Sequence, residues 1–98
     1  MNIHILDQAE DDLVDGYNFY ENQEQGVGTY FLDSLYSDVE SLILYAGIHQ
    51  KRHKDYRRML SKRFPFAIYY TNSKEEIKIH AVIDCRKDPA WIRGRLNI

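Results

Sequence analysis

The hydrophobic and polar positions near the N-terminus predict a strand followed by a helix. Residues 3–6 form a short apolar run with β-branched side chains, as expected of a strand. Asp7, with Glu10 three positions later, has the spacing of a capping box, which marks the start of a helix. The helix is expected to end near Asn22. Its buried face should carry Ala9, Leu13, Tyr17 and Tyr20, and its solvated face Asp11, Asp12, Asp15, Asn18 and Glu21.

A second amphipathic helix is predicted after a glycine-containing break at residues 25–28. It is expected to begin near Val27 or Thr29, and Gly47 stands where a left-handed C-cap belongs. Its buried face should consist of Phe31, Leu35, Val39, Leu42, Ile43 and Ala46, and its solvated face of Asp33, Ser37, Asp38 and Glu40. Two consecutive amphipathic helices predict a helical hairpin packed on the rest of the chain.

The second half of the chain has the alternation typical of strands. Strands are predicted at residues 56–62, 64–71 and 77–84, after a polar connection at residues 48–55. In the last strand, one face should carry Ile77, Ile79, Ala81 and Ile83, and the other Lys78, His80, Val82 and Asp84. Pro89 is expected to open a short helix that ends near Leu96.

The predicted element order is therefore β-α-α-β-β-β-α, which indicates an α+β fold. A small, mainly antiparallel twisted sheet should carry the helical hairpin on one face and the short C-terminal helix beside it. The other sheet face, with Arg and Lys side chains, is expected to be a concave functional surface.

Composition limits the classes of protein that fit. A chain of 98 residues is expected to form one domain, residues 1–98, and 44% hydrophobic with 29% charged residues is typical of a globular protein. A single cysteine excludes an intramolecular disulfide and fits the cytoplasm. The metal-binding spacings CxxC and HExxH do not occur, so neither a metal nor another cofactor is expected. No apolar run approaches the ~18 residues of a membrane span.

The charges are divided sharply between the two halves. Residues 1–48 carry ten acidic and no basic side chains, whereas residues 49–98 carry thirteen basic and five acidic ones. The stretch at residues 49–63, HQKRHKDYRRMLSKR, holds seven Lys or Arg and two His. Such asymmetry points to a polyanionic partner or to mutual neutralisation within the fold, and the charges alone do not separate the two.

Three stretches carry a resemblance to a known family. They are AEDDLVDGYNFYENQEQGVGTYFLDSL, YRRMLSKRFPFAIYY and IKIHAVIDCRKDPAWIRGRL. Together they resemble the RelE/ParE superfamily of bacterial toxins, the toxic members of type II toxin–antitoxin pairs, often called plasmid stabilisation proteins. The resemblance covers nearly the whole chain and implies a RelE/ParE-like fold. It also implies an antitoxin partner, with a homodimer or a hetero-oligomer containing the antitoxin as the assemblies to consider.

The resemblance implies two mechanisms. RelE-like members cut messenger RNA on the ribosome with basic residues and a C-terminal tyrosine, whereas ParE-like members inhibit growth by acting on DNA gyrase. This chain lacks the C-terminal tyrosine, and an indole such as that of Trp91 is not an acid or base at neutral pH. A ParE-like inhibitor is therefore the main interpretation. An mRNA endoribonuclease is the alternative, and a non-toxic relative that keeps only the fold is a third.

The candidate site residues come mainly from the basic stretch. If the protein is a nuclease, the catalytic candidates are Arg86, Arg63, Arg58, Lys54 and His53, with His49 as a further acid or base. The candidates for binding the antitoxin or the target are Arg57, Arg58, Lys62, Arg63, Arg86 and Trp91. Three of them have simpler interpretations: His49 and His53 as solvated loop residues, and Arg86 as a partner of Asp84 in a structural ion pair.

Overall fold

A five-stranded sheet lies between the helical hairpin and the C-terminal segment in the computed structural model, which describes residues 2–98. The elements are β1 (Asn2–Ile5), α1 (Asp7–Gln23), α2 (Val27–Tyr45), β2 (Lys51–His53), β3 (Tyr56–Leu60), β4 (Phe66–Asn72), β5 (Glu76–Asp84) and α3 (Pro89–Arg95). The strands are arranged in the order β1-β5-β4-β3-β2. β1 pairs in parallel with β5, and every other pairing is antiparallel. The predicted α+β architecture is thus confirmed.

The sheet has one strand more than the sequence predicts. β2 lies within the stretch expected to be a polar connection and pairs with β3 through Lys51↔Arg57 and His53↔Tyr56. Lys54 adopts a positive φ of 51° in the tight turn between them. Lys-Arg-His has no alternation of apolar and polar residues, so backbone pairing forms this strand without a pattern that would reveal it.

The helical hairpin begins differently from the capping-box prediction, which is wrong. Leu6 is the N-cap of α1 and provides no side-chain cap, while its N–H donates to the Ile79 carbonyl 3.0 Å away. The side-chain cap belongs instead to α2. The Glu21 carboxylate of α1 accepts from the N–H of Gly26, at 3.0 Å, and from that of Gly28, at 2.9 Å. The predicted positive φ of Gly47 is confirmed at 94°.

The predicted helix faces are wrong at three positions. Asp38 is only 4% exposed, and its carboxylate accepts from the Ser61 hydroxyl at 2.6 Å. Asp12 also points inward, whereas Ile43 is 55% exposed. The physical reason is the spacing: Asp38 stands between Leu35 and Leu42 on the buried stripe, where its polar side chain finds partners on another element.

A register shift in the sheet changes which side chains face the hairpin. Tyr69 pairs with Ala81 and Tyr70 with Ile79, so His80 is the extra residue of a β-bulge. Val82 consequently packs in the core beneath the hairpin, whereas Ala81 and Ile83 pack on the opposite face. The prediction of one uniform face for Ile77, Ile79, Ala81 and Ile83 is therefore wrong.

The sheet face opposite the hairpin, here called the outer face, is partly covered. Ala67, Tyr69, Ala81 and Ile83 are buried there against Leu96, with Ile92 and Ile98 packed alongside. The C-terminal segment thus fills part of the surface that the sequence predicts to be concave and functional. Within residues 2–98, no helix has the length and apolarity that crossing a bilayer requires.

Candidate functional site

Two of the predicted site residues come together on the outer face. Arg58 pairs with Tyr69 across β3 and β4, so their side chains share that face. The His53 ring lies 6.0 Å from the Tyr69 ring, centroid to centroid. Both His53 and Arg58 are half-buried, which leaves an imidazole and a guanidinium accessible around one buried tyrosine.

Arg57 faces the hairpin side instead, because neighbouring residues of a strand point to opposite faces. Its Nη1 donates to the His49 carbonyl at 2.7 Å, and its Nε donates to Asn72 Oδ1 at 3.0 Å. His49 Nδ1 lies 2.6 Å from the buried Tyr70 hydroxyl. These contacts attach the segment between α2 and β2 to the sheet, so Arg57 already has partners within the fold.

Arg86 lies at the end of β5 in a two-pronged ion pair with Asp84. Its Nε and Nη2 donate to the two carboxylate oxygens at 2.9 and 2.6 Å. The pair holds the pKa of Asp84 below its ordinary value, chiefly through the hydrogen bond from the Arg86 side chain. The Arg86 side chain remains largely exposed, so the guanidinium is accessible with its charge partly offset.

The remaining predicted residues lie on several different elements. Lys54 is exposed in the turn between β2 and β3, and Lys62 and Arg63 are exposed in the segment between β3 and β4. Trp91 is exposed on α3, where the Lys87 ammonium lies 4.8 Å from its ring centroid. The predicted residues are therefore spread over several elements of the fold.

A further cluster on the outer face was not predicted as a site. Thr71 Oγ1 lies 2.8 Å from His80 Nε2, and the Tyr56 ring contacts His80 edge-on at 5.0 Å. Burial is the main cause that lowers the pKa of His80, and Lys78 adds to it, so the neutral imidazole is favoured. The sequence interpretation of His80 as a cross-strand packing residue agrees with these contacts.

A second unpredicted feature is the ion pair between Arg95 of α3 and Asp12 of α1. Arg95 Nη2 lies 2.5 Å from Asp12 Oδ2, which also accepts from the Val82 N–H at 2.9 Å. Burial raises the pKa of Asp12 in spite of these two contacts, which act in the opposite direction. The sequence pattern placed Asp12 on the solvated face. Asp12 and Arg95 are 83 residues apart in the chain, so a local pattern cannot predict that they pair.

Metal binding finds no support in the part of the chain that the structure describes. Residues 2–98 contain no group of three His, Cys, Asp or Glu side chains that could hold a metal ion. The accessible candidate side chains offer positive charge and hydrogen-bond donors, together with the half-buried imidazole of His53.

The folded protein should lose stability as the pH falls from about 7.5 to about 5.5. Burial lowers the pKa of both His49 and His80 from the ordinary 6.5, so the unfolded chain takes up protons first. The stability that the two neutral histidines contribute is complete above pH 6.5. It is lost as the pH falls toward their lower pKa values in the folded protein. Urea unfolding across this range measures it, and the double variant His49→Gln/His80→Gln should show a flatter profile. An unchanged slope in that variant would contradict the assignment.

Comparison with known proteins supports the fold. No model of a protein family matches the chain, and no curated protein does. Among solved structures, a chain described as "Chromosomal ParDE TA system from P. aeruginosa" is similar, with a TM-score of 0.78 and 18% sequence identity. The similarity covers 86% of this chain and 95% of that chain. The RelE/ParE-like fold predicted from the sequence is thereby confirmed.

Proposed function

We propose that this protein is the toxin of a bacterial type II toxin–antitoxin pair and acts in the cytoplasm. Its mechanism is ParE-like: it inhibits growth by binding its target, DNA gyrase, and a cognate antitoxin neutralises it. The likeness to a chain of a ParDE system supports the toxin–antitoxin assignment. The observation that carries the mechanism is that the candidate catalytic residues lie on several different elements, with Arg86 held in an ion pair.

Metal-independent RNA cleavage needs a base, an acid and positive charge around one phosphate. Here Arg86 is paired with Asp84, and Lys54 and Arg63 lie in two different connections. Only His53 and Arg58 lie beside one residue, Tyr69. Binding of a protein target needs no such convergence, because contacts can be spread over a broad surface. The arrangement therefore favours a binding inhibitor over a nuclease.

The alternative, a RelE-like mRNA endoribonuclease, is favoured by one observation. His53 and Arg58 share the outer face with His80, whose pKa is lowered by burial. An imidazole base and a guanidinium would meet part of the requirement for RNA cleavage.

Expression from a tightly controlled promoter, with parallel pulse-labelling of DNA and protein synthesis, separates these mechanisms. We expect DNA synthesis to stop first, together with a DNA-damage response, and purified protein to inhibit supercoiling by gyrase. If protein synthesis stops first, the endoribonuclease replaces the proposed mechanism. Unchanged growth would indicate a non-toxic relative and overturn both.

The double variant Arg58→Glu/Arg86→Glu should abolish growth inhibition, because it reverses two accessible charges on the proposed binding surface. The matched control is Lys74→Glu/Arg93→Glu, which makes the same change of charge at two exposed residues elsewhere. Colony counts under induction measure the effect, and circular dichroism checks that both proteins fold. Full toxicity in the first variant would contradict a role for these basic residues.

A further inference from the structure

A cavity of about 450 Å³ lies between α1 and α3, beside the end of β5. Its lining includes the buried residues Gly16 of α1, Phe66 of β4, and Val82 and Ile83 of β5. Sites for small molecules typically have about 300–1,000 Å³ and a mainly apolar lining with a few polar groups. We call this feature the α1–α3 cavity.

Two aromatic rings line the α1–α3 cavity and remain partly in solvent. Phe19 of α1 is 52% exposed and Trp91 of α3 is 46% exposed. Aromatic rings gain energy from offset or edge-on packing with other rings, in addition to the apolar area that they bury. The two rings therefore favour a ligand that is itself aromatic.

Of the carboxylates that line the α1–α3 cavity, those of Asp12 and Asp84 already pair with a cation. Asp12 is bonded to Arg95, whose guanidinium also lines the cavity, and Asp84 is bonded to Arg86. A ligand that displaced either arginine would leave a carboxylate without its partner, which is costly. The charges that a ligand can use therefore come from other residues.

The exposed side chains of Asp15 and Lys87 line the same cavity and have no such partner within residues 2–98. No basic nitrogen lies within 4.0 Å of the Asp15 carboxylate, and no carboxylate oxygen lies within 4.0 Å of Lys87 Nζ. Asp15 and Phe19 are one turn apart on the same face of α1. Lys87 Nζ lies 4.8 Å from the centroid of the Trp91 ring. Each wall thus offers one ring and one unneutralised charge, and the two charges are opposite in sign.

We infer that the α1–α3 cavity binds a small aromatic zwitterion, the chemical class to which the aromatic amino acids belong. Asp15 would accept hydrogen bonds from its ammonium group, Lys87 would pair with its carboxylate, and its ring would pack against Phe19 and Trp91. A ring with only one charge would leave Asp15 or Lys87 unpaired, and an aliphatic zwitterion would leave both rings in solvent. The inference goes beyond the proposed toxin function and does not depend on it.

Trp91 is the single tryptophan of the chain, so its fluorescence reports directly on the cavity. The probe is L-phenylalanine. Its matched analogues are phenethylamine, which lacks the carboxylate, 3-phenylpropionate, which lacks the ammonium group, and L-alanine, which lacks the ring. We expect L-phenylalanine to change the fluorescence and to bind at least about fivefold more tightly than each analogue. Absence of a change, or equal binding of an analogue, would overturn the inference.

Matched variants locate the binding. Asp15→Asn, Lys87→Gln and Phe19→Leu should each weaken binding of L-phenylalanine at least about fivefold. Asp11→Asn and Lys74→Gln are the controls, because they make the same changes of charge at exposed residues outside the lining. Isothermal titration calorimetry measures these affinities, since a change beside the tryptophan alters its fluorescence. Unchanged affinity in the three lining variants, or equal loss in the controls, would contradict the site.

The analogues assign each charge to its partner. Lys87→Gln should weaken L-phenylalanine but not phenethylamine, and Asp15→Asn should weaken L-phenylalanine but not 3-phenylpropionate. Guanosine monophosphate is the competing ligand, because a base could stack on the rings while its phosphate pairs with Lys87; tighter binding of this nucleotide would overturn the assignment to a zwitterion. Growth inhibition is measured separately, and its loss or persistence bears on the proposed function alone.

Discussion

Replacing Phe31 by alanine should lower the free energy of unfolding by about 3–5 kcal/mol. Phe31 is fully buried where the hairpin meets the sheet, and its ring centroid lies 5.0–5.2 Å from those of Tyr20, Phe64 and Phe66. Truncation removes these contacts and leaves a cavity that the two helices cannot close. Because a domain of this kind is stable by only about 5–15 kcal/mol, the variant should lie close to unfolding.

Chemical unfolding followed by circular dichroism measures this loss. The matched control is Phe19→Ala, which removes the same side chain from the exposed surface of α1 and should cost about 1 kcal/mol or less. A similar loss in both variants would contradict the central position of Phe31.

The contact between Phe31 and Gly16 provides a further test of the same packing. A Cβ at residue 16 would lie 2.5 Å from the Phe31 ring, so Gly16→Ala should cost about 1–3 kcal/mol through overpacking. In a Phe31→Leu background the smaller side chain should relieve much of that cost. Strictly additive effects in the double-mutant cycle would show that the two positions do not meet.

Replacing Arg95 by methionine should lower the free energy of unfolding by about 3 kcal/mol. The Asp12 and Arg95 side chains are only 16% and 18% exposed, so the change leaves a carboxylate largely buried without its cation. The Val82 N–H remains as a donor to Asp12, but the main opposing charge is gone. α3 would also lose its link to α1, and with it part of the cover over the outer face.

The pH dependence of the Arg95→Met variant provides a signature that simple loss of packing lacks. Burial already raises the pKa of Asp12, and loss of Arg95 should raise that pKa further. When the pKa of Asp12 is higher in the folded than in the unfolded state, protonation favours the folded state. The loss of unfolding free energy relative to the wild type should therefore shrink as the pH falls toward that pKa. Urea unfolding at several pH values measures this, with Arg93→Met on the same helix as the control. Asp12→Asn in the Arg95→Met background should recover part of the loss. If Arg93→Met cost as much, the ion pair would not be the cause.

The sequence by itself determined the elements whose residues act locally. Ala9 and Leu13 recur at the helical period, Gly47 takes a positive φ, and Pro89 opens a short helix, because each effect needs only neighbouring residues. The α+β architecture follows from the order of such elements. The resemblance carried by the whole chain predicted the RelE/ParE-like fold, which the structural comparison supports.

The tertiary structure alone decided the features that depend on residues far apart in the chain. The bulge at His80 reverses the faces of Ala81 and Val82, since the register is set by pairing with β4. Asp12 and Asp38 become buried because Arg95, Val82 and Ser61 supply partners from other elements. The basic residues of one stretch likewise separate, Arg57 toward the hairpin and Arg58 toward the outer face, because adjacent strand residues point in opposite directions. Composition could therefore indicate a basic surface, but only backbone pairing and long-range contacts decided which of its charges remain available to a partner.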